Sequence, residues 1–172
     1  MTYHHTITLS QATSGKVRVK LAPEVGIRQA IAHDLQIEGL PELSADLSIR
    51  PWLDGAEITG RFEARIAQVC GVTLEVFEQE IIGEIELRVV PRGSPNTPLE
   101  LEGGEIELDP MAPDPPDVLD SDLIDLGCYL VEHLALAIDP FPRKPGAVFD
   151  YAPDKTEESP FAVLRRLTDK AQ

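Results

Sequence analysis

Cysteines, basic residues and long apolar runs are all scarce in this sequence, and each shortage excludes a class of protein. Two cysteines, Cys70 and Cys128, are too few for the disulfide framework of a small secreted domain. The longest apolar run, at residues 134–138, is far shorter than the roughly 20 residues that a membrane-spanning helix needs. Residues 1–5 lack the basic and apolar regions of a signal peptide. We therefore expect a cytoplasmic protein without a membrane partner.

The charge balance is strongly acidic. The chain has 15 Lys and Arg against 30 Asp and Glu, which gives a net charge of −15. Binding to nucleic-acid phosphates needs clustered Lys and Arg, so we expect no DNA partner and no broad contact with an RNA backbone. An rRNA partner stays open, with indirect contact as the expectation. A strongly acidic surface attracts basic proteins. The composition therefore favours a ribosomal or other basic protein as the partner.

Three elements are predicted in the first fifty residues. Residues 17–21 alternate between apolar and basic side chains, which is typical of a half-buried strand. Apolar residues at helical spacing predict a helix over residues 23–35, with Pro23 in its first turn. Residues 43–50 alternate again and predict a second strand, which we expect Pro51 to end.

The clearest pattern of the first half is a pair of long alternating segments, residues 57–69 and 72–90. The short connection Cys70-Gly71 between them is typical of a β-hairpin. One face of the first segment carries Ile58, Gly60, Phe62, Ala64, Ile66 and Gln68, and the other carries Glu57, Thr59, Arg61, Glu63, Arg65 and Ala67. We predict a long antiparallel hairpin at the centre of the sheet.

A loop rich in proline and acidic residues follows at about residues 91–120. Between residues 100 and 120 there are eight acidic residues and no basic one. Its apolar content is too low to offset the entropy of ordering, so we expect a loose segment. A short alternating piece at residues 105–109 predicts one edge strand inside it.

Apolar spacing predicts a long helix over residues 121–138. Asp120 or Ser121 is the expected N-cap, with Asp122 and Asp125 in or near the first turn, where the helix dipole favours carboxylates. The predicted core stripe comprises Leu123, Ile124, Leu126, Leu130, Val131, Leu134, Ala137 and Ile138. A last short helix is predicted from Ser159.

Together these elements predict an α+β fold in a single domain over residues 1–172. A mostly antiparallel sheet, open or barrel-like, is centred on the long hairpin. One long helix and two shorter ones pack against it.

The candidate catalytic and metal-binding residues have spacings that do not fit such sites. Cys128 and His133 lie five residues apart, which places them about 140° apart around a helix and separates a thiol from its base. His4 and His5 are too few for a metal site, and Cys70 is a single ligand where structural zinc needs four. We predict no enzyme activity, no metal and no cofactor.

Three strings carry a resemblance to a known family: Gln68-Val-Cys-Gly-Val-Thr-Leu-Glu75, Asp122-Leu-Ile-Asp-Leu-Gly127 and Leu134-Ala-Leu-Ala-Ile-Asp-Pro-Phe-Pro-Arg143. They resemble the YceD family, also called domain of unknown function 177 or large ribosomal RNA subunit accumulation protein. The closing Ser159-Pro-Phe-Ala-Val-Leu164 is similar to the end of its alphaproteobacterial members. The resemblance implies a role in accumulation of 23S rRNA and biogenesis of the large ribosomal subunit.

The resemblance also implies zinc in many members, through Cys-x-x-Cys at the hairpin tip and a second Cys pair after the long helix. This chain keeps Cys70 but has Thr73 in place of the second Cys, and residues 141–145 carry no Cys. Three of four expected ligands are therefore absent, and we expect no zinc.

The leading hypothesis is a non-enzymatic factor that supports 23S rRNA accumulation. The alternative is an acidic binding module or chaperone for a basic protein, without a specific rRNA role. A hydrolase or metal enzyme that uses Cys128, His133 and acidic-loop carboxylates is a third, disfavoured hypothesis. The candidate partner-docking residues are Asp122, Asp125, Pro140, Phe141, Pro142, Arg143 and Lys144.

Overall fold

The computed structural model describes residues 3–97 and 114–149. Helices and a mostly antiparallel sheet are both present, which confirms the predicted α+β class. The elements are, in chain order, β1 (Thr6–Thr8), α1 (Leu9–Ser14), β2 (Val17–Leu21), α2 (Val25–Asp34), β3 (Gly39–Trp52), β4 (Gly55–Val69), β5 (Val76–Pro91), β6 (Asp117–Leu119), β7 (Leu123–Asp125) and α3 (Leu126–Ala137).

The main sheet has five strands in the order β2-β3-β4-β5-β6. Its first four strands pair antiparallel, and β6 pairs parallel with the end of β5. A second, two-stranded sheet joins β1 to β7. Over the described residues β2 and β6 are the free edges of the main sheet, so the sheet is open and the barrel-like alternative is not found.

The predicted long hairpin is confirmed as β4 and β5. The two strands pair without interruption from Ala56 and Val89 to Val69 and Val76. The face that carries Ile58, Phe62 and Ile66 points into the core, where all three are buried. Gly83 lies opposite Phe62 with no side chain to displace its ring. The second strand begins later than predicted, at Val76, because residues 70–75 form a loop of their own.

Strand β3 is longer than predicted and runs through Pro51. A proline has no N–H to donate, which normally confines it to unpaired edges and bulges. On one side of β3, strand β2 pairs only with residues 45–49, so the flank beside Pro51 has no β2 partner. The strand also passes Pro41, where the pairing of β3 with β4 shifts register between Gly39 and Glu42.

The core lies between the inward face of the main sheet and the helices. Its largest fully buried side chains are Phe62, Leu21, Ile31, Ile49, Ile58, Ile66, Ile85, Ile124, Leu126, Leu130, Leu134 and Val89. Burial of each such side chain contributes roughly 1.5–3 kcal/mol, so α3, which supplies three of them, is a main anchor of the fold. Two members of the predicted stripe, Leu123 and Ala137, are exposed instead.

The predicted start of the long helix at residue 121 is wrong. Leu123–Asp125 forms β7, and the helix begins at Leu126 with Asp125 as its N-cap. Strand β7 pairs with β1, near the start of the chain, and this long-range pairing displaces the first helical turn that the local pattern favoured. The predicted helix at 23–35 is confirmed with shorter bounds: it starts at Val25, so Pro23 precedes the first turn.

Besides β1 and β7, helix α1 and strand β6 were not predicted. Helix α1 has a capping box in which Thr8 and Gln11 bond each other's backbone N–H groups, a signal visible in the sequence. Strand β6 lies within the predicted loose loop of residues 91–120 and is too short to be recognised from alternation. The predicted edge strand at 105–109 and the last helix from Ser159 lie outside the described residues.

None of the helices in the described part of the chain combines the length and apolar content that crossing a membrane requires.

The N-cap of α3 gives a first testable prediction. One carboxylate oxygen of Asp125 accepts hydrogen bonds from the backbone N–H groups of Gly127, Cys128 and His5. We expect Asp125→Ala to lower the free energy of unfolding by about 1–2 kcal/mol, measured by urea denaturation, because it leaves these donors without their acceptor.

Asp122→Ala is the matched control, because the side chain of Asp122 is exposed and only its carbonyl holds Leu9, at 2.8 Å. Burial raises the pKa of Asp125, but hydrogen bonds from His4, His5 and Cys128 outweigh it and leave the pKa lowered. The difference in free energy of unfolding between the wild type and Asp125→Ala should be complete above about pH 5. It should shrink as the pH falls through the lowered pKa of Asp125. Equal losses in the two variants would contradict the capping role.

Candidate docking site at the hairpin tip

The loop between β4 and β5 packs against the chain that follows α3, and together they form the surface that we call the tip corner, residues 70–75 and 139–144. The loop closes on itself through two backbone hydrogen bonds of 2.9 Å, from Cys70 N–H to the Glu75 carbonyl and from Leu74 N–H to the Cys70 carbonyl. These bonds fix the end of the hairpin independently of its partner segment.

Three contacts join the hairpin end to the segment after α3. Gly71 N–H donates to the Pro142 carbonyl at 2.9 Å. The side-chain amide of Gln68 donates to the Asp139 carbonyl at 3.2 Å. The Lys144 ammonium lies 2.8 Å from a Glu75 carboxylate oxygen. The first two bonds occupy backbone carbonyls, so they hold the path of the chain rather than single side chains.

The sulfur of Cys70 is the centre of the tip corner. It accepts hydrogen bonds from the backbone N–H groups of Val72 and Thr73 at 3.4 Å and from that of Lys144 at 3.3 Å. The Thr73 side chain, followed by the N–H groups of Thr73, Lys144 and Val72, lowers the pKa of the Cys70 thiol to about 6. These donors favour the ionised form of the thiol, and through them the sulfur links both parts of the corner.

The donors around Cys70 do not fit a structural zinc ion. Such a site takes four Cys or His ligands. Thr73 contributes an N–H, and Lys144 contributes an N–H and a nearby ammonium; neither is a zinc ligand. Thr73 and Lys144 lie at or near the positions where the resemblance would place further Cys ligands. Here both donate a backbone N–H to the sulfur of Cys70.

The tip corner presents apolar side chains to solvent. Leu74 is 77% exposed and Phe141 is 80% exposed, and the paired residues Val69 and Val76 are also exposed beside them. Leu74 has a φ of +59°, a backbone conformation that is costly for a branched side chain. Such conformations persist where the surrounding structure enforces them, so the loop holds Leu74 in this position.

The structure divides the predicted docking residues into two groups. Pro140, Phe141, Pro142, Arg143 and Lys144 follow the C-terminal end of α3, at the tip corner. Asp122 and Asp125 lie at its other end, and the twelve residues of α3 span roughly 18 Å. The two groups therefore do not form one surface.

Asp125 belongs to the frame of the fold. Besides capping α3, its second carboxylate oxygen lies 2.5 Å from Nδ1 of His4. Gly127 allows this approach, because a Cβ there would lie 2.8 Å from the backbone nitrogen of His5 and 2.9 Å from the carbonyl of Tyr3. The string of residues 122–127 thus fastens the start of the chain to α3.

Cys128 and His133 bond to different groups. The Cys128 thiol lies 3.5 Å from a Glu132 carboxylate oxygen, and Nδ1 of His133 lies 2.8 Å from the Tyr129 carbonyl. Burial, and then the charge of Glu132, raises the pKa of the Cys128 thiol, which opposes a nucleophilic role. Across residues 3–97 and 114–149, no group of three or more His, Cys, Asp or Glu side chains could hold a metal ion.

One cluster on the outward sheet face was missed by the sequence pattern. Glu57 lies on the face of β4 opposite Ile58, as the alternation indicated, yet it is only 5% exposed. Arg50 and Arg88 from the two neighbouring strands bond its carboxylate, and Trp52 covers Arg88 at 5.1 Å. The hydrogen bond from Arg50 is the largest cause that lowers the pKa of Glu57. These contacts account for the cluster as a structural clamp across three strands.

Comparison with known proteins gives no relative for this chain: no family model, no curated protein and no solved structure matches it. Membership of the YceD family therefore stays a prediction that rests on the three strings.

The Cys70 contacts give a second prediction. In Cys70→Ala, amide hydrogen exchange at Val72, Thr73 and Lys144 should accelerate, because these N–H groups lose their common acceptor. The same exchange rates should not change in Cys128→Ala.

The pH dependence has a defined sign. A thiol with a lowered pKa stabilises the fold fully above the pKa of an unfolded cysteine, about 8.5, and loses this effect as the pH falls through about 6. The stability difference between the wild type and Cys70→Ala should therefore increase from pH 6 to 9. A difference that stays constant over this range would show that Cys70 acts as a neutral thiol.

Proposed function

We propose that this protein is a non-enzymatic cytoplasmic factor that supports accumulation of 23S rRNA and biogenesis of the large ribosomal subunit. It acts by docking the tip corner on a ribosomal or other basic protein. Contact with RNA is indirect, because a net charge of −15 repels a phosphate backbone.

One observation carries this proposal. Two of the strings on which the resemblance depends, residues 68–75 and 134–143, are far apart in the sequence and yet meet at the tip corner. They meet through the Gly71–Pro142 and Gln68–Asp139 hydrogen bonds, and Lys144, next to the second string, bonds the Cys70 sulfur. Residues that carry a family likeness and also build one exposed surface are best explained by a shared role of that surface.

The chemistry of the corner favours docking over catalysis. The exposed apolar side chains at and beside the corner are Leu74, Phe141, Val69 and Val76, which contribute binding energy through burial but do not transfer protons. Phe141 and Leu74 stand on a backbone held by several hydrogen bonds. A preformed apolar surface of this kind loses little conformational entropy when a partner binds.

The alternative function is an acidic binding module for a basic protein without a role in rRNA accumulation. The acidic outward row of β5, which carries Glu78, Glu80, Glu84 and Glu86, favours this alternative. The two functions predict the same chemistry of contact and differ in the identity of the partner. Purification of the tagged protein with its bound partners distinguishes the two functions. Recovery of ribosomal proteins favours the first, and recovery of only other basic proteins favours the second.

The proposed function predicts the effect of two substitutions at the corner. In cells that lack the native gene, the double variant Leu74→Ala with Phe141→Ala should restore 23S rRNA and large subunits poorly, as measured by sucrose-gradient profiles. Both side chains are exposed, so the free energy of unfolding should change by less than about 0.5 kcal/mol.

Leu53→Ala is a matched control. Leu53 is 65% exposed, has a φ of +54° and occupies the β3–β4 turn, at the opposite end of β4 from Leu74. The Leu53→Ala variant should restore the ribosome profile fully. Unchanged 23S rRNA and large-subunit levels after deletion of the gene would refute the ribosomal role. A restored profile with the double variant would refute the role of the corner.

A further inference from the structure

Strand β5 has a long edge without a strand beside it in the described part of the chain. On one side β5 pairs with β4 over residues 76–89. On the other side, β6 pairs only with Val89, Val90 and Pro91. Asp114 and Pro115 lie across a cleft of about 550 Å³ from residues 86–88. Below that cleft, residues 76–85 of β5 have no described strand on this side.

An open strand edge presents backbone N–H and C=O groups at every second residue, and these can pair with another extended chain. Ten residues of β5 extend over roughly 33 Å. That length is sufficient for strand addition, in which backbone hydrogen bonds give affinity and alternate side chains give specificity.

The side chains of this edge define the occupant. The outward row of β5 carries, at alternate positions, Glu78, Glu80, Ile82, Glu84 and Glu86, all of them exposed. Among the described residues, Glu80 is the one glutamate of the row that forms an ion pair, with Arg65 at 3.4 Å. Ile82 is 59% exposed at the centre of the row. Lys or Arg at every second position of an added strand would face these carboxylates.

Like charge disfavours two other occupants. Residues 98–113 of the chain itself contain five acidic residues and no basic residue. The β5 strand of a second copy would bring its own glutamates opposite these. Like charges directly opposite each other in a sheet are destabilising.

Strand β2 of a second copy is the third alternative, because Lys16, Arg18 and Lys20 line its outward side. It is only five residues long, and short, lysine-bearing edge strands discourage pairing between copies. A longer basic segment of another protein matches the open length of β5 better.

We propose that the edge of β5 at residues 76–85 binds a basic extended segment of a partner protein by strand addition. The N-terminal end of this edge, Val76, adjoins the exposed Leu74, so the segment continues onto the tip corner. This proposal does not depend on the ribosomal role, because it rests on the strand edge and its charges and is tested with purified protein and a peptide.

The probe is a labelled peptide of about twelve residues in which Lys and Val alternate, matched to the open length of β5. Its binding to the full chain is measured by fluorescence anisotropy at low and high salt. We expect the double variant Glu78→Lys with Glu84→Lys to weaken binding by about tenfold or more at low salt. The matched control is the double variant Glu42→Lys with Asp46→Lys. It makes the same change of charge on β3, on the same face of the sheet, and its affinity for the peptide should fall much less.

A second comparison tests the backbone contacts. The same peptide with N-methyl groups at alternate residues keeps its charge but cannot complete the ladder, so its affinity should fall sharply. On binding of the unmodified peptide, amide hydrogen exchange within residues 76–85 should slow. This slowing would not accompany mere accumulation of cations on an acidic surface.

Four outcomes would overturn the proposal. An equal loss of peptide affinity in the two double variants would mean that net charge alone governs binding. Equal affinity of the N-methylated peptide would exclude strand addition. Full protection of residues 76–85 in the free monomer would assign the edge to the chain's own segment. Self-association that Arg18→Glu abolishes would assign the edge to a second copy. A normal ribosome profile after gene deletion would leave peptide binding intact, so the two proposals fail separately.

Discussion

The pairing of β4 with β5 is the constraint on which the other features depend. Side chains alternate between the faces of a strand, so a slip of one residue would exchange the buried and exposed faces of both strands. The unbroken register from Ala56 and Val89 to Val69 and Val76 prevents such a slip. It places Phe62 in the core, sets the glutamates of β5 in one outward row and carries Cys70 to the end of the hairpin.

Elements with strong local periodicity could be predicted from the sequence, whereas their limits often could not. Strands β4 and β5 follow from alternation alone. The start of α3 did not follow, because Asp120, Ser121, Asp122 and Asp125 are all residues that cap helices well. The choice among them depends on the pairing of β7 with β1, across more than a hundred residues, which no local pattern encodes.

The candidate site shows the same division between local and long-range information. The sequence indicated residues 140–144 as candidate docking residues, and in the structure they follow α3 at the tip corner. The bond between Lys144 N–H and the Cys70 sulfur joins residues 74 positions apart, so the link between corner and hairpin could not be predicted. The burial of Glu57 could not be predicted for a related reason: it depends on two arginines from neighbouring strands.

Together, the tip corner and the edge of β5 form one connected surface that is apolar at the hairpin tip and acidic along the strand. A basic protein with an apolar contact residue would complement both parts. The most direct measurement is photocrosslinking in growing cells, with a photoreactive phenylalanine analogue at position 141 and, as control, at position 53. We expect adducts with large-subunit ribosomal proteins or their assembly intermediates from position 141 and not from position 53. Adducts at position 141 that contain no large-subunit component would contradict the proposed function.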